Sequence, residues 1–129
     1  MTTTDNANLK ECGIQAAARF LKLKGYEDIE IHPEHDGGYI DIAAHDNGEL
    51  VLFKVKTHAG SAVMPPDGNP AILRARFEAA AFDYLAASDD VDVRLRFDVI
   101  SLLIVDGGKA MVRHHVNACA GDDADEIAA

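Results

Sequence analysis

Leu9, Gly13, Ala16, Ala17, Phe20 and Leu21 recur three and four residues apart, with Lys10, Lys22 and Lys24 lying off that stripe. This period predicts an amphipathic helix from Leu9 to Lys24, stopped by Gly25. A short strand follows at Ile29-Glu30-Ile31, and a second at Tyr39 to Ala44. Asp46-Asn47-Gly48 is a strong hairpin pattern leading into a third strand, Glu49 to Thr57, on which Val51, Phe53 and Val55 share one face. Residues 58–69 read as a loop rich in Gly and Pro. Asn69 is placed to cap a second helix that begins at Pro70 and repeats Ile72, Phe77, Ala80, Ala81, Tyr84 and Leu85 on one side. Val93 to Val105 is a long apolar strand, and Asp106-Gly107-Gly108 turns it into a last one, Lys109 to Val116. Strand, crossover helix and strand in that order imply a parallel pair inside a mixed sheet, hence an α/β fold. Neither a repeat nor a second domain is visible, so residues 1–120 are expected to form one domain. Residues 121–129 are expected to form an acidic, disordered tail.

Composition fits that picture and narrows the chemistry. A chain of 129 residues with 48% apolar content is long enough to bury one core. No apolar run approaches the roughly 20 residues that a bilayer span needs. The N-terminal residues have neither the basic nor the apolar region of a secretion signal. Cys12 and Cys119 stand far apart, without metal-site spacing, and read as reduced thiols. The expected location is therefore the cytoplasm. Charge argues against nucleic acid: 22 acidic residues face 12 basic ones, for a net −10. Setting aside the four acids of the last nine residues still leaves −6. Phosphate binding is driven largely by Lys and Arg, so any such binding is expected to be weak and confined to a local basic groove.

Candidate chemistry concentrates around Asp41. Lys54 and Lys56 are two apart on the third strand, so they project to one side, where they can meet Asp41 on the neighbouring strand. The bland alternatives are a strand-end Asp capping a turn and two solvated lysines that protect an edge. Arg74 and Arg76 on the second helix are candidates for a phosphate backbone, although scattered helix charges are usually only solvated. His32-Pro33-Glu34-His35-Asp36 and His114-His115 offer potential metal ligands, but Pro33 and strand alternation work against convergence, and surface histidines are the default. Asp98, in Arg96-Phe97-Asp98, reads as serving structure through Arg96. The few aromatics fall on positions expected to face the core, which offers single strands no stacking platform.

The stretches Gly13-Ile14, Gly38-Tyr39-Ile40-Asp41-Ile42-Ala43, Phe53-Lys54-Val55-Lys56 and Arg96-Phe97-Asp98 follow one another at the spacing of a known pattern. From Cys12 to Asn117 the chain resembles the YraN-type family of small, uncharacterised bacterial proteins, relatives of Holliday-junction resolvases and restriction endonucleases. The resemblance implies a restriction-endonuclease-like mixed β-sheet flanked by helices. It also implies a site where carboxylates hold Mg²⁺ and a lysine, here Lys56, orients or deprotonates the attacking water. Three acids of the family pattern are absent, at Ile14, Tyr39 and Lys54, while Asp41 and Lys56 remain. Lys54 stands where a glutamate is expected, and an ammonium has no lone pair for a metal. The expectation is a vestigial site at Asp41 and Lys56, with Lys54 paired to Asp41 in the metal's place. No cofactor is then required, and the partner would be nucleic acid, another protein or a second copy of the chain. The alternative is residual Mg²⁺-dependent cleavage, with Glu11, one turn before Ile14, as the substitute acid.

Overall fold

In a computed structural model the protein is described over residues 3–33, 39–59, 70–87, 94–105 and 109–118. Helix α1 spans Thr3–Leu23, strands β1, β2 and β3 span Glu27–Ile31, Ile42–Asp46 and Glu49–Ala59, helix α2 spans Pro70–Ala86, and strands β4 and β5 span Arg94–Val105 and Lys109–His115. The five strands form one sheet in chain order. Neighbours pair antiparallel except β3 and β4, which run parallel from Glu49↔Arg94 to Ala59↔Ile104 across the α2 crossover. This is an α/β mixed sheet flanked by two helices, consistent with the restriction-endonuclease-like fold.

Strand alternation assigns the two cores. Ile42, Ala44, Val51, Phe53, Val55, Ile100 and Leu102 pack against Ile14, Ala17 and Leu21 of α1. Ala43, Leu50, Leu52 and Val99 pack against Phe77, Ala80 and Ala81 of α2. A buried aliphatic side chain contributes about 1.5–3 kcal/mol relative to exposure, so the two clusters outweigh any single polar contact in the fold. Helix α1 ends as its glycine predicts. Gly25 adopts φ 95°, and the amides of Tyr26 and Gly25 donate to the carbonyls of Leu21 (3.0 Å) and Lys22 (3.1 Å) in a Schellman closure. The β2–β3 hairpin turns at Asn47 and Gly48, with φ of 51° and 85°, a primed turn that suits the twist of the flanking strands.

Several boundaries differ from the sequence reading. Helix α1 begins at Thr3, six residues before the expected start, since neither Gly nor Pro interrupts residues 3–12. Strand β1 opens at Glu27 and carries an irregular register between Glu27 and Glu30, where Asp28 has φ 53°. Strand β2 runs from Ile42 to Asp46 rather than from Tyr39 to Ala44, so Asp41 stands just before it. His58 and Ala59 belong to β3, held there by pairing with Leu103 and Ile104 of the long strand β4. Strands β4 and β5 begin and end within one residue of expectation. On α2, Ile72 is 56% exposed and Leu73 takes its place against the core. Phe82 is 79% exposed, contrary to the expectation that the aromatics face inward. The Asn69 cap, the cluster Glu34-His35-Asp36, Cys119 and the acidic tail lie outside the described residues. Strand β5 is a sheet edge with Met111 and Val112 exposed, and Lys109 and Arg113 on it are the charges that discourage uncontrolled edge pairing. Among the described residues no helix is long and apolar enough to cross a membrane.

Candidate functional site

Asp41 is held from two directions by its own backbone. Its amide donates to the carbonyl of Phe53, and its carbonyl accepts from the amide of His32, both at 2.9 Å. The β2–β3 ladder ends at Ile42↔Phe53, which leaves the next β3 amide on that side, Val55, in need of an acceptor. Asp41 Oδ2 supplies it at 2.8 Å. The carboxylate therefore replaces a strand carbonyl, and the side chain is 2% exposed. Lys54 Nζ sits 3.6 Å from the same Oδ2, as the alternation argument requires.

Lys54 is set by its surroundings as firmly as Asp41 is. Its side chain is 21% exposed, and its ammonium lies 4.9 Å from the centre of the Tyr39 ring, over its face. Tyr39 in turn meets Phe77 of α2 edge-on at 5.3 Å. Burial pushes the Lys54 amine below the ordinary lysine value; the Asp41 carboxylate opposes that shift, while Lys10 and Lys56 reinforce it. At the three positions where the resemblance places acids stand an apolar residue, an aromatic and a cation, with Ile14 and Tyr39 packed on opposite faces of the sheet. Ile14 is fully buried in the α1 core, Tyr39 offers a ring face, and Lys54 places a cation against Asp41.

A divalent metal does not fit this donor set. Asp41 Oδ2 already accepts from Val55 and faces an ammonium, and an approaching cation would meet that positive charge first. Among the described residues no group of three or more His, Cys, Asp and Glu side chains is arranged to hold a metal ion. Glu11 is turned to other partners. Its two oxygens bond Gln15 Nε2 at 2.9 Å and the His32 ring at 2.8 Å, and these bonds hold its carboxyl below the usual range. Lys56 is half-buried on the same face as Lys54. Arg74 is half-buried and engaged, and Arg76 is exposed, both in the first half of α2.

Sequence reasoning found only the Arg96–Asp98 edge of a second polar centre. Asp98 is fully buried and takes a fork from Arg96, Nε to Oδ1 at 3.0 Å and Nη2 to Oδ2 at 2.9 Å. The Asn117 amide donates to Oδ1 and the His114 ring to Oδ2, each at 2.8 Å. Lys24 Nζ donates to His114 Nδ1 at 3.2 Å, which leaves the ring proton on Nε2, facing Asp98. Arg96 also reaches Asp46, Glu49 and the Tyr26 hydroxyl. Burial pushes the Asp98 carboxyl up, but the bonds from His114, Arg96 and Asn117 outweigh it and hold the group below the usual range. His114 is not a surface histidine. It is 5% exposed, among the rings of Phe20, Tyr26 and Phe53. The spacing Arg96-x-Asp98 announced only one edge of this network. Tyr26, Lys24 and His114 come to it from other elements, and nothing local in the sequence pairs them.

The sequence comparisons decide the family. The model of the uncharacterised protein family UPF0102 matches residues 14–102, which span all three of the lost acids and both polar centres except His114 and Asn117. The chain belongs to this family. A UPF0102 protein of Pelobacter propionicus is 36% identical over 88% of this chain and 84% of its own length. A relative from Chloroflexus aurantiacus is 32% identical over 93% of this chain and 98% of its own, and one from Symbiobacterium thermophilum is 37% identical over 71% and 79%. The UPF0102 match begins at Ile14 and ends at Leu102, so it runs from the buried substitute for an acid to the core strand behind Asp98.

Proposed function

We propose that this UPF0102 protein is a non-catalytic binding protein on a nuclease-like fold, in which an internal ion pair stands where metal chemistry would need a cation. One observation carries the reading: Lys54 Nζ lies 3.6 Å from the Asp41 oxygen that also accepts the Val55 amide. Hydrolysis of a phosphodiester needs a group that stabilises the charge developing on phosphorus and one that activates water. Lys56 can orient a water, but the carboxylates that would seat the cation are replaced at Ile14, Tyr39 and Lys54. The second reading, residual Mg²⁺-dependent cleavage through Asp41, Lys56 and Glu11, has one point in its favour. His32 bonds Glu11 through its ring and Asp41 through its amide, which ties the two acids to one residue.

Incubation of the full chain with supercoiled plasmid, flayed duplex and four-way junction in Mg²⁺ and Mn²⁺ separates the two readings. The first expects no cleavage above the metal-free control. Metal-dependent nicking that disappears in Asp41→Ala establishes the second.

A further inference from the structure

We propose that the outward face of α2 is a self-association surface, on which a second copy of this chain packs its own α2 antiparallel about a two-fold axis at Ala79. The inference goes beyond the reading above and is independent of the chemistry at Asp41. Helix α2 is apolar on two opposite sides. Leu73, Phe77, Ala80 and Ala81 pack inward in the core beneath it. Ile72, Ala75, Ala79, Phe82 and Ala86 are all exposed, Ile72 by 56% and Phe82 by 79%. A helix lying on a sheet needs one apolar stripe, and a helix apolar all round is normally covered on its outer side too. Positions 72, 75, 79, 82 and 86 recur in alternating steps of three and four, the spacing of a helix–helix seam. Two large apolar side chains stand on that seam in water, which marks it as an interaction surface.

A second copy of α2 fits this stripe in shape. In a two-fold pair the same patch serves both partners, so each residue meets the one equally far beyond the axis. With the axis at Ala79, Ile72 meets Ala86 of the second copy and Ala75 meets Phe82 of the second copy. Each large side chain thus falls opposite a methyl group. A parallel pair would instead set Phe82 on Phe82 and Ala75 on Ala75, a bulge beside a gap. Charge selects the same direction. Arg76 and Asp83 flank the stripe on one side, and both are exposed. The antiparallel pair sets Arg76 of each copy against Asp83 of the other, two reciprocal ion pairs, whereas the parallel pair sets Glu78 against Asp83. On the opposite flank the antiparallel pair brings Glu78 near its own copy, a like-charge contact at the solvent-exposed rim. Helix α2 has 17 residues and is about 25 Å long, so the contact is small and the dimer should be reversible, with micromolar affinity.

The test is sedimentation velocity of the full chain over a concentration series across the micromolar range. Wild type is expected to pass reversibly from monomer to dimer. Phe82→Glu and Ala79→Glu change side chains that are exposed in the single chain, so circular dichroism should show an unchanged fold. Each should weaken the dimer about tenfold or more, because it places unpaired carboxylates in the seam. Arg76→Asp and Asp83→Arg should each weaken it as well, by setting like charges together. The double variant Arg76→Asp with Asp83→Arg recreates both ion pairs with their signs exchanged, and should return the affinity toward that of wild type. A monomer at every concentration overturns the proposal, whatever other partner the face then serves. So does a dimer indifferent to Phe82→Glu and Ala79→Glu, or a loss from the single charge variants that the double variant does not rescue. Nicking in Mn²⁺ would remove the non-catalytic reading without touching these results.

Discussion

Asp98 shows what a fully buried charge requires. Two bonds from Arg96, one from His114 and one from the Asn117 amide meet its two oxygens, and taking away one partner of such a set typically costs about 3–5 kcal/mol. We expect Asp98→Asn, which keeps the shape and loses the charge, to destabilise by about 2–3 kcal/mol at neutral pH. Because the folded carboxyl lies below its ordinary 3.8, its contribution is complete above that value and is lost as pH falls through the lower folded one. The stability gap between wild type and variant, measured by urea unfolding in steps down from neutral pH, should therefore hold until about 3.8 and then narrow. A gap that does not change with pH would mean the charge of Asp98 is not what the network holds. At this scale the sequence was partly legible. The pairing of Asp41 with Lys54 follows from alternation and a two-residue turn, which are local rules, together with the register that the resemblance implies. His114 was not legible, because the residues that bury it, Phe20, Tyr26 and Phe53, lie 61 to 94 positions away in the chain.

Elements were legible wherever period and turn chemistry agreed. The helix stop at Gly25 and the Asn47-Gly48 hairpin both depend on residues that accept positive φ, and both occur where the sequence places them. The boundary at Asp41 was missed because an apolar run, Tyr39-Ile40, looks like strand while the Asp41 side chain takes over from the backbone ladder there. Gly13 looks at first like an ordinary member of the α1 stripe. An added Cβ there would collide with the Thr57 hydroxyl and lie 2.9 Å from Thr57 Cβ and Cγ2. In an open helix, Gly→Ala stabilises by about 1 kcal/mol, whereas overpacking costs about 1–3 kcal/mol. The second effect should win, so Gly13→Ala is expected to lower stability, and Gly13→Ala combined with Thr57→Ala to recover most of the loss in thermal unfolding. A stabilising single variant would show that α1 can lift away from β3 at no cost.

On the scale of the whole molecule, an acidic chain carries a restriction-endonuclease-like sheet whose best-placed carboxylate faces a lysine. Fold class was legible from the strand, helix, strand order and from the resemblance, because both reflect long, strongly patterned segments. The meaning of the charge was less so, since a total of −10 says nothing about where the 12 basic residues gather. The central claim is that Lys54 occupies the place of a metal, and a calorimetric titration with Mn²⁺ tests it most directly. Wild type should show no saturable binding, and the double variant Tyr39→Glu with Lys54→Glu, which restores two carboxylates beside Asp41, should bind Mn²⁺ in a manner lost on adding Asp41→Ala. Saturable Mn²⁺ binding by wild type that depends on Asp41, or no binding by the double variant, would contradict the account.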